Sequence, residues 1–358
     1  TNIEKEYASA NYLYATYLQI GNGDMEAEPY FEEAFRIRAR LAGYNVDTLE
    51  RVSEDRPSIE DLFLLCRSMD QLAYIYLRLY PNSSTKGHLR LFQKSYKIMK
   101  ECAKREPMSY RIHLATTLYN IGTSYLNTHK YDVAMKYLEK ALNIDKALVI
   151  ESPEIHLYTR NYSYDLERIS GLYLWTIKDY IKAEEAALEA SLVIENLYTY
   201  NPRVYEYDYV DKLYWLAVVY QEIGKYDEAL EKSFSSLRIL ENANACAIKT
   251  ENRIMDIKKL VAEIYAKKFI YNKANEFASD AFIIAKNLYI RSNTKQHFEQ
   301  FKYATKTRVS ILQRMSDNEM AESVISDCIA LLNSHSDSLG ESQIMDILEL
   351  KQEIIEIW

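Results

Sequence analysis

Residues 125–142, YLNTHKYDVAMKYLEKAL, place tyrosine, histidine, aspartate, lysine and glutamate side chains within one short stretch. Groups of these types could act as general acids, general bases or metal ligands if they converged on one pocket. Acidic neighbours such as Asp227-Glu228 and Glu184-Glu185 could share acid–base work in the same way. Adjacent helix residues do not face one another, however, and negative charge is favourable near helix starts. We therefore interpret these pairs as structural.

Other catalytic patterns are missing from the sequence. It contains no Gly-x-x-x-x-Gly-Lys-Ser/Thr loop, no Gly-x-Ser-x-Gly and no His-Glu-x-x-His motif. The six histidines are dispersed, and no Cys-x-x-Cys pair occurs among Cys66, Cys102, Cys246 and Cys328. A zinc site needs three or four converging ligands. We expect no metal, no cofactor and no catalytic residue, and so a protein that is not an enzyme, with its cysteines buried and reduced.

Composition narrows the class of partner. The net charge is −8, and no stretch is dense in lysine and arginine, which argues against a nucleic-acid partner. No run of 18 apolar residues that could span a membrane occurs. The first residues do not resemble a signal peptide, so a cytoplasmic location is expected. The chain begins at Thr1 without a methionine, which suggests a processed product or a piece fused to other domains in a longer protein.

A repeat accounts for the opening stretch. A small residue recurs at intervals of 45–49 positions, at Ala134, Ala183, Ala229, Ala274 and Ala321. Twelve residues before the first four of these lie Gly122, Gly171, Ala217 and Ala262. Apolar residues at three- and four-residue steps, such as Leu114, Leu118, Ile121 and Tyr125, indicate a helix in each half of the repeat. Only 8 glycines and 6 prolines interrupt the 358 residues, as expected for long helices.

The repeat assigns a structural role to each conspicuous residue. The small residues belong where two helices cross closely, because a larger side chain would push the backbones apart. Gly224 suits a helix C-terminus, and Asp132 is placed to cap the second helix of its repeat. Between repeats, helix boundaries are expected near Pro57, Pro107, Pro153 and Pro202.

The segments LYNIGTSYLNTHKYDVAMKYLEKAL and LYWLAVVYQEIGKYDEALEKSF resemble the tetratricopeptide repeat family. The period is longer than the usual ~34 residues, and resembles the repeats of bacterial multidomain regulators and kinesin-light-chain-like arrays. The resemblance implies an all-α, right-handed superhelical solenoid with a concave groove, as one domain over 1–358. We expect helix pairs at 2–43, 58–105, 108–151, 153–199, 202–247, 250–293 and 296–335, with a capping helix over 338–358.

In this family the first helix of each repeat lines the groove that binds a partner. Carried over by register, the resemblance implies groove positions at Arg67, Gln71, Tyr74, Tyr119, Asn120, Thr123, Arg168, Trp175, Asp211, Tyr214, Trp215, Lys259 and Glu263. Tyrosine, tryptophan and arginine are frequent binding anchors. The alternative is that many of the 32 tyrosines only fill wide spaces between helices.

The resulting prediction is a non-enzymatic scaffold that binds a protein or peptide in its groove. Of the family's two-carboxylate clamp only Asn120 is matched, so a chaperone C-terminus is not the predicted ligand. The alternatives are a sensor or regulatory domain of a larger signalling or effector protein, of protease or nucleotide-switch type, and a peptide-responsive regulator.

Overall fold

The computed structural model describes residues 2–20, 23–80, 87–242, 248–292 and 294–335. These residues form fourteen α-helices and one π-helical turn, with no β-strand among them, which confirms the all-α prediction. The expected capping helix over 338–358 lies outside the described residues. None of the described helices combines the length and the hydropathy that a membrane span requires.

The helices are 16 to 22 residues long, and most connections between them are short; the longest, residues 42–58, joins the second helix to the third. Their bounds are α1 (Asn2–Ile20), α2 (Asp24–Leu41), α3 (Ile59–Leu79), α4 (His88–Arg105), α5 (Pro107–Asn127), α6 (Tyr131–Glu151), α7 (His156–Gly171), α8 (Tyr180–Tyr200), α9 (Pro202–Glu222), α10 (Tyr226–Asn242), α11 (Ile248–Lys267), α12 (Tyr271–Ser292), α13 (Lys295–Arg314) and α14 (Asn318–His335). The π-helical turn, Leu172–Ile177, continues α7.

Consecutive helices pack in antiparallel pairs, beginning with α1 and α2. In the fourth pair, Ser170 Oγ of α7 donates to the Ala183 carbonyl of α8 at 2.7 Å. The contacts group into two compact units, which we call unit 1, ending at Ala190, and unit 2, beginning at Ser191. The boundary falls within α8. The expectation of one domain over 1–358, with the helix pairs as its repeats, stays a prediction.

The repeated small residues lie where the two helices of a pair meet. Ala134, Ala183, Ala229, Ala274 and Ala321 are all fully buried. In the pair formed by α5 and α6, a Cβ on the glycine at position 122 would lie 2.6 Å from a leucine Cγ of α6 and 3.3 Å from a backbone carbonyl oxygen. The predicted close approach is therefore confirmed for the pair formed by α5 and α6.

The turns between the helices of a pair share one backbone conformation. A residue with positive φ, between 57° and 84°, recurs at the same place as His129, Lys178, Gly224, Phe269 and Ser316. In three of these turns the next amide donates to the tyrosine carbonyl five residues earlier, at 2.8–2.9 Å. This is the hydrogen bond that closes a Schellman helix end. Only the glycine was predicted at this position.

Helix starts differ from one pair to the next. The N-cap of α6 is Lys130, and its side chain makes no capping hydrogen bond. The predicted cap, Asp132, instead lies in the first turn of that helix, so the prediction of its role was wrong. Asp179, before α8, does accept from the amide of Lys182, at 3.2 Å.

Candidate binding groove

The first helices of the pairs in unit 1 line two adjoining pockets. The larger, of about 500 Å³, is bordered by Thr16, Gln19, Asp70, Gln71, Tyr74, Arg78, Thr116 and Asn120. The smaller, of about 200 Å³, is bordered by Thr116, Tyr119, Asn120, Asp145, Asn161, Tyr164 and Asp165. Because Thr116 and Asn120 border both, the two pockets form one continuous depression, which we call the unit 1 groove.

Helical periodicity explains why these residues share the groove. On α3, positions 70, 74 and 78 follow one another at four-residue steps, and position 71 lies three residues before 74, which places all four on one face. Positions 116, 119 and 120 of α5 and positions 161, 164 and 165 of α7 follow the same spacing. Four of the sequence-predicted residues, Gln71, Tyr74, Tyr119 and Asn120, therefore lie together here.

The other predicted residues of unit 1 lie outside the two pockets. The Arg168 guanidinium sits 5.8 Å from the Tyr119 ring centroid, and its Nη2 donates to the Tyr119 hydroxyl at 3.2 Å. Arg67 lies over the ring of Tyr12, 5.1 Å from its centroid. Trp175 is half exposed on the π-helical turn.

Thr123 of α5, the remaining predicted residue of unit 1, has a buried hydroxyl oxygen with no hydrogen-bond partner among the described residues.

The predicted residues of unit 2 lie on α9 and α11. Arg253 forms an ion pair with Asp211 at 2.7 Å, and its guanidinium lies 4.7 Å from the ring centroid of Tyr214. Lys259 Nζ lies 4.2 Å from the Tyr303 ring centroid. Ion pairs and cation–π contacts thus hold several of these side chains.

Two further predicted residues of unit 2 remain. Glu263 borders a separate pocket of about 370 Å³ and accepts from the Tyr303 hydroxyl at 3.4 Å. Trp215 of α9 is half-buried. Whether any of the unit 2 residues binds a partner stays a prediction.

Sequence reasoning missed three carboxyl groups that line the unit 1 groove: Asp70, Asp145 and Asp165. Burial raises the pKa of Asp70 to about 7, although its Oδ2 accepts a hydrogen bond from Thr117 Oγ1 at 2.9 Å. Burial also raises the pKa values of Asp145 and Asp165. Each aspartate interrupts a stripe of otherwise apolar residues, and that pattern was the available signal.

The described residues contain no group of three or more histidine, cysteine, aspartate and glutamate side chains that could hold a metal ion. Cys66, Cys102 and Cys328 are buried free thiols, and Cys246 lies outside the described residues. The groove instead offers amides, hydroxyls, tyrosine rings and buried carboxyls, which can form hydrogen bonds and attract positive charge.

Comparison with known proteins agrees with this architecture. The sequence model described as "Tetratricopeptide repeat" matches residues 115–148, which cover most of α5 and α6. No curated protein matches the sequence.

Solved structures of helical-repeat proteins resemble the fold. BtubC from P. vanneervenii superposes with a TM-score of 0.55 and 13% identity, over 69% of this chain and 91% of that one. A signal transduction ATPase with a tetratricopeptide repeat sensor, from Pyrococcus horikoshii, gives a TM-score of 0.53 and 17% identity, over 94% and 47%. Aspartyl phosphate phosphatase F from Bacillus subtilis gives a TM-score of 0.52 and 13% identity, over 99% of this chain and 93% of that one. At these identities the likeness is in the fold alone. The protein is a helical-repeat protein built from tetratricopeptide-like helix pairs.

Proposed function

We propose that this protein is a non-enzymatic interaction scaffold that binds an extended peptide segment of a partner in the unit 1 groove. The observation that carries the proposal is the continuity of the groove across the first helices of four successive pairs, α1, α3, α5 and α7. A cytoplasmic location is part of the proposal and rests on the sequence alone.

The groups in the groove suit an extended peptide. An extended backbone presents amide donors and carbonyl acceptors that must be satisfied when it leaves water. The side-chain amides of Gln71, Asn120 and Asn161 can both donate and accept. The ring of Tyr74, 42% exposed, offers an apolar surface of the kind that anchors interfaces.

Peptide affinity tests the proposal. Beads that display random octapeptides are sorted by their binding of the labelled full chain. The affinity of the best binder is then measured by calorimetric titration. We expect Asn120→Ala to weaken binding about tenfold, or ~1.4 kcal/mol, because it removes a group that both pockets share. The matched control is Asn143→Ala, at an exposed site of α6. Equal affinity in the two variants, or no peptide binder at all, would contradict the proposal.

A second candidate is a sensing role within a larger protein. The support for it is the likeness to the Pyrococcus horikoshii ATPase, of which this chain covers 47%, in a protein whose helical repeats are a sensor. Sequencing the complete coding region decides between the two. An in-frame ATPase or protease domain would support the sensor role, and a reading frame that holds only repeats would rule it out.

A further inference from the structure

Asp145 of α6 and Asp165 of α7 meet in the wall of the smaller pocket of the unit 1 groove. Each residue is 2% exposed, and the two side chains are hydrogen-bonded to each other. Asp145 Oδ1 and Asp165 Oδ2 have no hydrogen-bond partner among the residues that the structure describes. Unpartnered carboxyl oxygens at this depth cost stability unless a water molecule, an ion or a ligand group donates to them.

No lysine or arginine of the described residues forms an ion pair with either carboxyl. Burial raises the pKa of both carboxyls, and for Asp165 the neighbouring carboxyl raises it further. Two carboxyls this close do not both ionise readily, so the pair carries at most one negative charge. Lys146, next to Asp145 in the sequence, lies 4.0 Å from Glu189 instead.

We propose that the Asp145–Asp165 pair is a subsite for one cationic side chain, a lysine or an arginine, of a peptide bound in the unit 1 groove. One positive charge balances the single negative charge that the pair can carry, and its N–H groups can donate to the unpartnered carboxyl oxygens. The proposal rests on the proposed function only in that a peptide carries the cation.

The surroundings suit an organic cation. Oxygens of Thr116, Asn120 and Asn161 border the same pocket and can accept further hydrogen bonds. The ring of Tyr164 borders it too, and aromatic faces attract cations, whereas the Tyr119 ring already lies 5.8 Å from the Arg168 guanidinium. At about 200 Å³ the pocket is smaller than the ~300 Å³ at which drug-sized ligand sites begin, so it suits a single side chain.

A small probe tests the cation subsite without any peptide. The full chain, labelled with ¹³C at its aspartate carboxyls, is titrated with N-acetyl-lysine-N-methylamide, with the norleucine analogue and with MgCl₂. We expect the lysine amide alone to shift carboxyl resonances in the wild type and in the control Asp132→Asn, which is exposed on α6. The shifts should vanish in Asp145→Asn and in Asp165→Asn. No response to the lysine amide, an unchanged response in both pair variants, or a response to Mg²⁺ alone would overturn the proposal.

Peptide sorting separates this proposal from the proposed function. Sorted peptides should be enriched in lysine or arginine and lose about tenfold affinity for Asp165→Asn, whose thermal midpoint should not fall. Peptides that bind tightly without a basic residue would overturn the cation subsite and leave the scaffold function standing. If the lysine amide shifts the carboxyl resonances but no peptide binds, the cation subsite stands and the proposed scaffold function is overturned.

Discussion

Asp70 carries its carboxyl into the floor of the unit 1 groove, where Thr117 donates to it at 2.9 Å. Burial raises its pKa to about 7, so near neutral pH it changes charge over a narrow range. A carboxyl of this kind ties the stability of the fold to pH, and it does so at a surface that we expect to bind a peptide.

The stability of unit 1 should therefore depend on pH through Asp70. The folded pKa, about 7, lies above the unfolded value of ~3.9, so the folded protein holds more protons between these values. Its contribution to stability is largest below about pH 4 and is lost as the pH rises through 7.

We expect Asp70→Asn to gain stability relative to the wild type as the pH rises from 4 to 7, with a ceiling of ~4 kcal/mol. Urea unfolding at several pH values measures the difference. The control is Asp132→Asn, which should show no such trend because the side chain is exposed. Parallel pH profiles for wild type and Asp70→Asn would refute the assignment.

Gly122 lies where a larger side chain should destabilise the fold. A methyl group there would press on Leu138 Cγ at 2.6 Å and on the Ala134 carbonyl oxygen at 3.3 Å, and both residues are fully buried. We expect Gly122→Ala to destabilise the fold by ~1–2 kcal/mol, because overpacking outweighs the gain in helix propensity. The control is Gly87→Ala, where the added Cβ meets, among the described residues, only an arginine Cβ at 3.6 Å. Chemical denaturation would contradict the account if the two variants were equally stable.

At the scale of helices and turns, the positive-φ positions repeat with the same period as the buried alanines. Lys178, Phe269, His129 and Ser316 adopt the conformation that glycine adopts at Gly224. Side chains other than glycine adopt it at a cost, because the Cβ approaches the neighbouring carbonyl oxygen. The sequence predicted the helix end only at the glycine, since the other four residue types carry no turn signal.

Replacing Lys178 by glycine should stabilise the protein. The residue is exposed with φ of 65°, and we expect Lys178→Gly to gain ~1 kcal/mol by relieving the backbone. Lys178→Ala is the control, because it removes the same side chain and keeps the Cβ. A thermal midpoint of Lys178→Ala equal to or above that of Lys178→Gly would argue against a positive φ at this residue.

The sequence predicted which residues of a single helix line the groove, but not which residues of different helix pairs meet there. Helical register placed Tyr119 and Asn120 on the correct face because a single helix has a fixed period. It could not place Asp145 beside Asp165, since these belong to neighbouring repeats and their contact depends on how two pairs pack. Contacts between helices of different pairs are not encoded in the period of either one.

At the scale of the whole chain, the repeat explains why side chains that looked reactive in residues 125–142 do not converge. Tyr125 and Tyr137 stack on each other with centroids 5.7 Å apart, so both serve packing between α5 and α6. The repeats supply a surface, and the unit 1 groove is a continuous depression in it with a largely polar lining. We expect the bound peptide to lie in this groove.

Photo-cross-linking tests whether the peptide binds in the unit 1 groove. The photoreactive residue p-benzoylphenylalanine replaces Tyr119 in the groove or, as the control, Tyr180 at the exposed start of α8. After irradiation with the best sorted peptide, mass spectrometry locates any covalent adduct. We expect peptide adducts from position 119 and none from position 180. Adducts from position 180 alone would show that the peptide binds elsewhere and would contradict the account.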